Sequence, residues 1–156
     1  MSALQNFTRI TPFLWFDANA EEAVDFYISI FKNSRRTNEV RATNNVPDPK
    51  GRVLTVAFEL DGQKFTALNG GPIFKFNEAI SFVVWCESQE EIDFYWSKLS
   101  AGGHEIECGW LKDKFGVTWQ IVPTRIGELI KQPKAMQAML KMKKLDLAEL
   151  ERAATS

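Results

Sequence analysis

The sequence predicts an α+β protein built on a duplicated strand–helix–strands unit. Three observations carry this expectation. Asp25-Phe26-Tyr27 recurs as Asp93-Phe94-Tyr95, and Glu22 is matched by Glu90, at a constant offset of 68 positions. Each copy sits in the same order of signals: a β-rich run, a helix-start signature, then more β-rich runs. The chain has 156 residues, 45% hydrophobic and 25% charged, the balance of a globule of one domain or two very small ones.

Taken in order, Ile10 to Asp17 is rich in aromatic and branched residues and reads as a strand, with Pro12 near its start or on an edge. Asn19 with Glu22 is a capping-box signature. Ala20, Ala23, Val24, Tyr27, Ile30 and Phe31 then recur at helical spacing, so this helix lays one apolar face on a sheet and ends near Asn33. Arg36 to Ala42 reads as a short strand, and Thr43 to Arg52 as a loop packed with turn formers. Val53–Leu60 and Gln63–Leu68 flank Asp61-Gly62, a strong two-residue hairpin signal. Asn69-Gly70-Gly71-Pro72 stops the hairpin, and Ile73 to Asn77 is an aromatic connector.

The second copy opens with a strand from Ala79 to Cys86 and a capping box at Ser88 and Glu91. Ile92, Tyr95, Trp96 and Leu99 form its helix stripe, which Gly102-Gly103 terminates. Glu105 to Trp110, a tight turn at Phe115-Gly116, and Val117 to Val122 supply its remaining strands. Asp113 reads as a turn former. After Pro123 the composition turns helical. Pro133 opens a Met-rich helix that covers the core or a dimer seam, or else lines a pocket, and Asp146 with Glu149 caps a last helix, Leu147 to Ala154.

Bulk properties exclude several function classes. Nineteen basic against twenty acidic residues leave a net charge of −1, which gives no electrostatic footing for nucleic acid or a membrane surface. No apolar run is long enough to span a bilayer, and Met1 to Thr11 lacks the apolar core of an export signal, so a cytoplasmic location is expected. Cys86 and Cys108 could pair in principle; without an export signal, reduced thiols are the expectation. One histidine and two isolated cysteines do not make a zinc site.

The segments Asn69–Pro72, Ala79–Ser81, Cys108–Lys114, Phe115–Ile121 and Met139–Asp146 resemble the PhnB-like branch of the glyoxalase, or vicinal oxygen chelate, superfamily, whose members are often labelled demethylubiquinone methyltransferase-like. The resemblance runs from Phe7 to Ala154. It implies a single domain of two tandem βαβββ modules, here 7–72 and 78–123, forming a cup-shaped eight-stranded mixed sheet, with a C-terminal helical extension over 124–156. It also implies a homodimer.

The superfamily's enzymes hold a divalent metal at the floor of the cup. Carried over residue by residue, the ligand Glu of the last strand falls on Gln120, in Asp113-Lys-Phe-Gly116-Val-Thr-Trp-Gln120. The first-strand ligands fall on Pro12 and Ile80, or on Phe13 and Ser81 with a one-residue slip, and the remaining position lies near Thr66, Leu68 or Asn69. His104, the only histidine, lies after the Gly-Gly break and reads as surface or loop. Such neutral groups are poor ligands for Zn, Ni or Mn, so no metal ligands and no cofactor are expected. Neither Gly-Gly segment leads from a strand into a capped helix, so the methyl transfer of the family label is not expected either.

What remains is a cup with a few polar groups, the usual form of a small-molecule site. Gln120, Asn69 and Ser81 are the polar residues placed to orient a ligand. Trp15, Phe76, Trp110 and Trp119 are expected as its aromatic walls, with Cys108 beside them and Trp85 a further aromatic of either face. Strand alternation admits only part of this set, and the sequence leaves open which face lines the cup. Cys108 as a nucleophile would need a base; a buried strand cysteine is the plainer reading. The expected function is binding of a small apolar or aromatic molecule without a metal. The alternatives are a glyoxalase-like lyase, isomerase or dioxygenase with an atypical metal site that includes Gln120, and a dimer scaffold with no pocket.

Overall fold

The computed structural model describes residues 7–43 and 51–156. The chain forms two compact units, Met1–Lys75 and Phe76–Ser156. In the first, β1 (Phe13–Phe16) leads to α1 (Ala20–Ile30), then β2 (Arg35–Arg41), β3 (Val53–Leu60) and β4 (Gln63–Asn69). They make a four-stranded sheet in the order β1-β4-β3-β2. The β1–β4 pair is parallel and the others are antiparallel. The second unit repeats this with β5 (Ser81–Cys86), α2 (Gln89–Ser100), β6 (His104–Glu105), β7 (Trp110–Lys112) and β8 (Thr118–Pro123). Its order is β5-β8-β7-β6, again with one parallel pair, β5–β8. The repeat seen in the sequence is thus a repeat of topology. Three helices follow, α3 (Ile126–Leu129), α4 (Pro133–Met139) and α5 (Leu147–Thr155); α3 was not foreseen.

Each sheet buries one face under its own helix. In the first unit, Leu14, Phe16, Val56, Phe58, Phe65 and Ala67 are buried together with Ala23, Val24, Tyr27 and Ile30 of α1, which packs on β3 and β4. In the second, Val84, Cys86, Leu111, Trp119 and Ile121 are buried with Ile92, Trp96 and Leu99 of α2. At about 1.5–3 kcal/mol per large apolar side chain fully buried, these two interfaces dominate the stability of their units.

Turn chemistry follows the sequence at Asp61-Gly62, where both residues have positive φ (48° and 83°), as the two-residue hairpin requires. It departs elsewhere. The capping box expected at Asn19 does not form, since the Asn19 side chain makes no cap hydrogen bond. The α1 start is capped from across the sheet: Ala20 N–H donates to Asn69 Oδ1 at 2.9 Å. The boxes at Ser88 and Asp146 do cap, with Glu91 N–H donating to Ser88 Oγ (3.2 Å) and Glu149 N–H to Asp146 Oδ1 (3.0 Å).

The strand expected over Glu105–Trp110 is broken. Cys108 and Gly109 adopt φ of 61° and 84°, a left-handed turn that ends the ladder after Glu105. Their N–H groups donate instead to the carbonyls of Met142 and Lys143, each at 2.7 Å. Within the second unit, the C-terminal segment is therefore hydrogen-bonded to the turn before β7 as well as packed on β8. Val122, Leu129, Leu145 and Leu150 form its core, with Met139 and Met142 against it, so these methionines cover that core; Met136 remains exposed. Gln89 clamps the same segment: its amide donates to Leu145 O (3.0 Å) and accepts from Leu147 N–H (2.8 Å). Most of the loop expected over Thr43–Arg52 lies outside the described residues.

Candidate functional site

The register of β8 is set by a buried carboxylate. Asp113, 2% exposed, accepts from Phe115 N–H (2.8 Å) and Val117 N–H (3.0 Å) on Oδ1, and from Trp119 Nε1–H (2.9 Å) on Oδ2. The reading of Asp113 as a turn former holds, and its reach extends further, to a tryptophan six residues on. Tying the Trp119 indole there accompanies its burial among the α2-facing residues. Alternation then places Gln120 on the opposite, open face.

Ladder partners share a face, so the open face of the second sheet can be read from its register. Gln120 lies between Val83 and Trp110, and Thr118 between Ser81 and Lys112. His104 pairs with Lys112 and so joins this face at its outer edge; it is exposed, as expected, on a short strand. Gln120 Nε2 donates to Ser81 Oγ at 2.8 Å. Lys112 Nζ is paired with the Glu78 carboxylate, which holds the Glu78 carboxyl below its usual range, chiefly by their hydrogen bond. Val83 and Trp85 add apolar surface, and Trp85 is 58% exposed. Thr118 is the anomaly: at 1% exposed, its Oγ1 has no hydrogen-bond partner.

Of the residues singled out by sequence, Gln120, Ser81 and Trp110 come together here. Phe76 lies at the Gly116 turn, where a Cβ on Gly116 would stand 3.8 Å from its Cβ. Trp119 belongs to the other face, as alternation demanded for one of each adjacent pair. Cys108 sits in the left-handed turn, half-buried, rather than in a strand. Trp15 is on the open face of the first sheet, where its indole N–H donates to Gly71 O (2.9 Å) and Phe74 meets it edge-on at 4.8 Å.

Asn69 is not placed to orient a ligand. It is 2% exposed on the α1 side, with both amide hydrogens used, accepting from Ala20 N–H and donating to Glu21 Oε1 (2.6 Å) and Val53 O (2.9 Å). The polar end of a strand looked like a ligand group because the sequence does not show which helix end it faces. Thr118, Val83 and Lys112 were missed as members of the open face. The period-two alternation from Gln120 back to Thr118 is the signal that could have found Thr118.

The first sheet carries its own open-face feature, a cleft of about 520 Å³ lined by Arg35, Asn38, Ala57, Glu59, Lys64 and Thr66 among others. Arg35, Glu59 and Lys64 form one rung across β2, β3 and β4, and Asn38, Ala57 and Thr66 the next. None of the residues expected to touch a ligand lines it. Counted back from the last pair of each parallel ladder, Phe16–Asn69 and Cys86–Pro123, Thr66 occupies the place of Gln120.

These positions test the fit of a divalent metal. Pro12 and Ile80 precede their strands, and the open-face residues at the ligand positions are Phe13, Thr66, Leu68, Ser81 and Gln120. In the first unit they offer one hydroxyl and in the second an amide and a hydroxyl, with no carboxylate or imidazole to offset dehydration of a divalent cation, so neither unit's donors fit one. Among the described residues, no group of three or more His, Cys, Asp or Glu is placed to hold a metal. Cys86 is no substitute nucleophile, because burial, with a smaller push from the Glu91 charge, raises its thiol to about 12.

Two sheets of identical strand order, each with one parallel edge pair and a helix on one face, define the vicinal oxygen chelate, or glyoxalase, class of fold. Solved structures agree. A fosfomycin resistance protein, FosX, from Listeria monocytogenes, in complex with Mn(II) and sulfate, matches with a TM-score of 0.54 at 14% identity, over 81% of this chain and 98% of that one. A glyoxylase/bleomycin resistance protein/dioxygenase domain from Frankia matches at 0.51 and 13%, over 78% and 95%.

The PhnB protein of Bacillus cereus, provisionally described as a 3-demethylubiquinone-9 3-methyltransferase, is nearer: 36% identical, TM-score 0.68, over 75% of this chain and all of that one. The sequence profile of the 3-demethylubiquinone-9 3-methyltransferase family matches residues 8–122. The chain belongs to that PhnB-like family. No curated protein matches it.

Proposed function

We propose that this protein binds a small apolar or aromatic molecule, without a metal, against the open face of its second sheet. The observation that carries the reading is the pairing of Gln120 with Ser81 beside Trp110, Val83 and Trp85 on one face. A neutral hydrogen-bonding pair flanked by indoles suits an uncharged ring better than a cation or an ion. Covering about 200 Å² of aromatic surface at about 25 cal/mol/Å² is worth about 5 kcal/mol before ordering costs.

Methyl transfer, the activity named for the Bacillus cereus relative, is not part of this reading. Gly70 and Gly71 follow β4 and serve as the platform for Trp15, and Gly102-Gly103 ends α2. Neither opens a helix for an adenosyl donor. The free cysteines Cys86 and Cys108 suit a reducing compartment, and we place the protein in the cytoplasm. No described helix is long and apolar enough to cross a membrane. We also propose a homodimer, motivated by exposed Phe13 and Ile80, which leave apolar surface uncovered on each unit. Sedimentation as a monomer at micromolar concentration would refute it.

The central test is calorimetric titration with Ni2+, Mn2+ and Zn2+. Tight stoichiometric uptake of any of these would overturn the metal-free reading. Native mass spectrometry of the purified protein should in turn reveal an uncharged organic adduct, lost in Trp110→Ala.

A further inference from the structure

The net charge of −1 is an average over unlike parts of the chain. Between Glu128 and Asp146 stand Lys131, Lys134, Lys141, Lys143 and Lys144, and no acid. This stretch forms α4 and the turn after it. The expectation that a membrane surface has no electrostatic footing rests on the whole-chain balance, which hides this local excess.

Packing fixes which side of the stretch faces out. Ala135 is fully buried, and Met139 and Met142 lie against the core of Val122, Leu129, Leu145 and Leu150. Met136 and Leu140 are left 38% and 56% exposed. Leu140 N–H donates to Met136 O at 3.1 Å, so the two stand one helical turn apart on one face. Lys134 and Lys141 are exposed beside them, and Lys131 and Lys143 are exposed at either end. Of the five lysines, Lys144 is engaged by Asp93 at 2.8 Å. Among the described residues, no carboxylate pairs with the other four. The face therefore combines two uncovered apolar side chains with four uncompensated positive charges.

The apolar pair decides which kind of anionic partner fits. A nucleic-acid backbone would use the lysines but leave Met136 and Leu140 against phosphate, and 131–144 holds no aromatic or arginine on which a base could stack. An acidic amphipathic peptide needs a groove for its own apolar side chains, whereas this is the outer side of a single helix, a ridge. An anionic lipid surface takes both features. Apolar side chains enter among the headgroups, while lysine stems lie along them and the ammonium groups meet the phosphates.

We propose that the outer face of α4, with the lysines that flank it, docks this protein on an anionic phospholipid surface. The contact is peripheral, since no described helix is long and apolar enough to cross a membrane. It is independent of the small-molecule reading of the second sheet.

The test is co-sedimentation of the full-length protein with vesicles of phosphatidylcholine alone and of phosphatidylcholine and phosphatidylglycerol in equal parts. The expected result is binding to the mixed vesicles only, weakening as salt is raised. Lys134→Gln and Lys141→Gln should each lower the partition about fivefold. Met136→Ser with Leu140→Ser keeps every charge and should lower it about tenfold, as apolar insertion requires. All four positions are exposed, so the Tm of the variants should match that of the native protein. No binding to mixed vesicles, or equal binding to both kinds, would overturn the proposal on the native protein alone. Binding unchanged by the lysine variants would overturn the electrostatic contact, and binding unchanged by the serine pair would overturn the insertion. Duplex DNA held as tightly as the mixed vesicles, and insensitive to the serine pair, would make this a nucleic-acid face instead.

Discussion

Asp113 is where a single atom-scale change should be felt most. Its carboxylate satisfies two turn N–H groups and the Trp119 indole, with distances of 2.8, 3.0 and 2.9 Å. In Asp113→Ala these donors lose their acceptor in an environment where Val117 and Trp119 are buried. At about 1–3 kcal/mol for each of the two buried donors left unpaired, the loss is about 2–6 kcal/mol, a large part of a typical total of about 5–15. Asp113→Asn is the finer probe. It keeps one oxygen for the turn N–H groups but turns an NH₂ toward the indole N–H, so about 1.5–3 kcal/mol should go with that one charge-assisted bond. If the bond is the cause, Trp119→Phe and Asp113→Asn will be non-additive, with a coupling of about 1 kcal/mol or more. Urea unfolding followed by far-ultraviolet circular dichroism measures all four corners of the cycle. A cost below about 1 kcal/mol for Asp113→Ala, or additivity within about 0.5 kcal/mol in the cycle, would show that Asp113 does not hold β8 in place.

Three further outcomes are expected. With its thiol pushed up to about 12, Cys86 should resist iodoacetamide at pH 8 in the native protein and react only on unfolding, while half-buried Cys108 reacts first; mass mapping of the alkylated peptides decides this. Asp93 is held below its ordinary value of 3.8, first by its hydrogen bond from Lys144 and then by that from Gln89. A depressed carboxylate contributes stability that is fully present above the ordinary value and is lost as pH falls through the folded one. The Tm gap between the native protein and Asp93→Asn should therefore be small but measurable at pH 6 and close below pH 4; a gap independent of pH would contradict the assignment. Gly70→Ala should displace Trp15, because a Cβ there would overlap its indole ring, so the hydrogen bond to Gly71 O should break and the Trp emission should shift to the red. An unchanged spectrum would mean that the indole is not seated there.

Some parts of this protein were legible residue by residue. Strand β3 and the Asp61-Gly62 turn could be read directly, because branched and aromatic runs and a two-residue left-handed turn are local properties of the chain. The Ser88 and Asp146 caps were legible for the same reason. The Asn19 box was not. The same signature was present, but the helix start is capped instead at Ala20 N–H, by Asn69, 49 positions away along the chain. The break at Cys108 was equally hidden, since the carbonyls that accept from it belong to Met142 and Lys143, beyond the end of the sheet.

The sequence by itself determined the class of fold, the duplicated unit, the family, and the neutral residue at position 120. These depend on periodicity, turn residues and the identity of a side chain, all carried along the chain. Tertiary structure decided which of those residues can act together. It turned Trp119 and Asn69 toward the helices and Gln120, Ser81 and Trp110 toward the open face, and it left the Thr118 hydroxyl buried without a partner. The physical reason is that strand alternation divides residues into two sets, but only the packing of a helix on one face says which set is core.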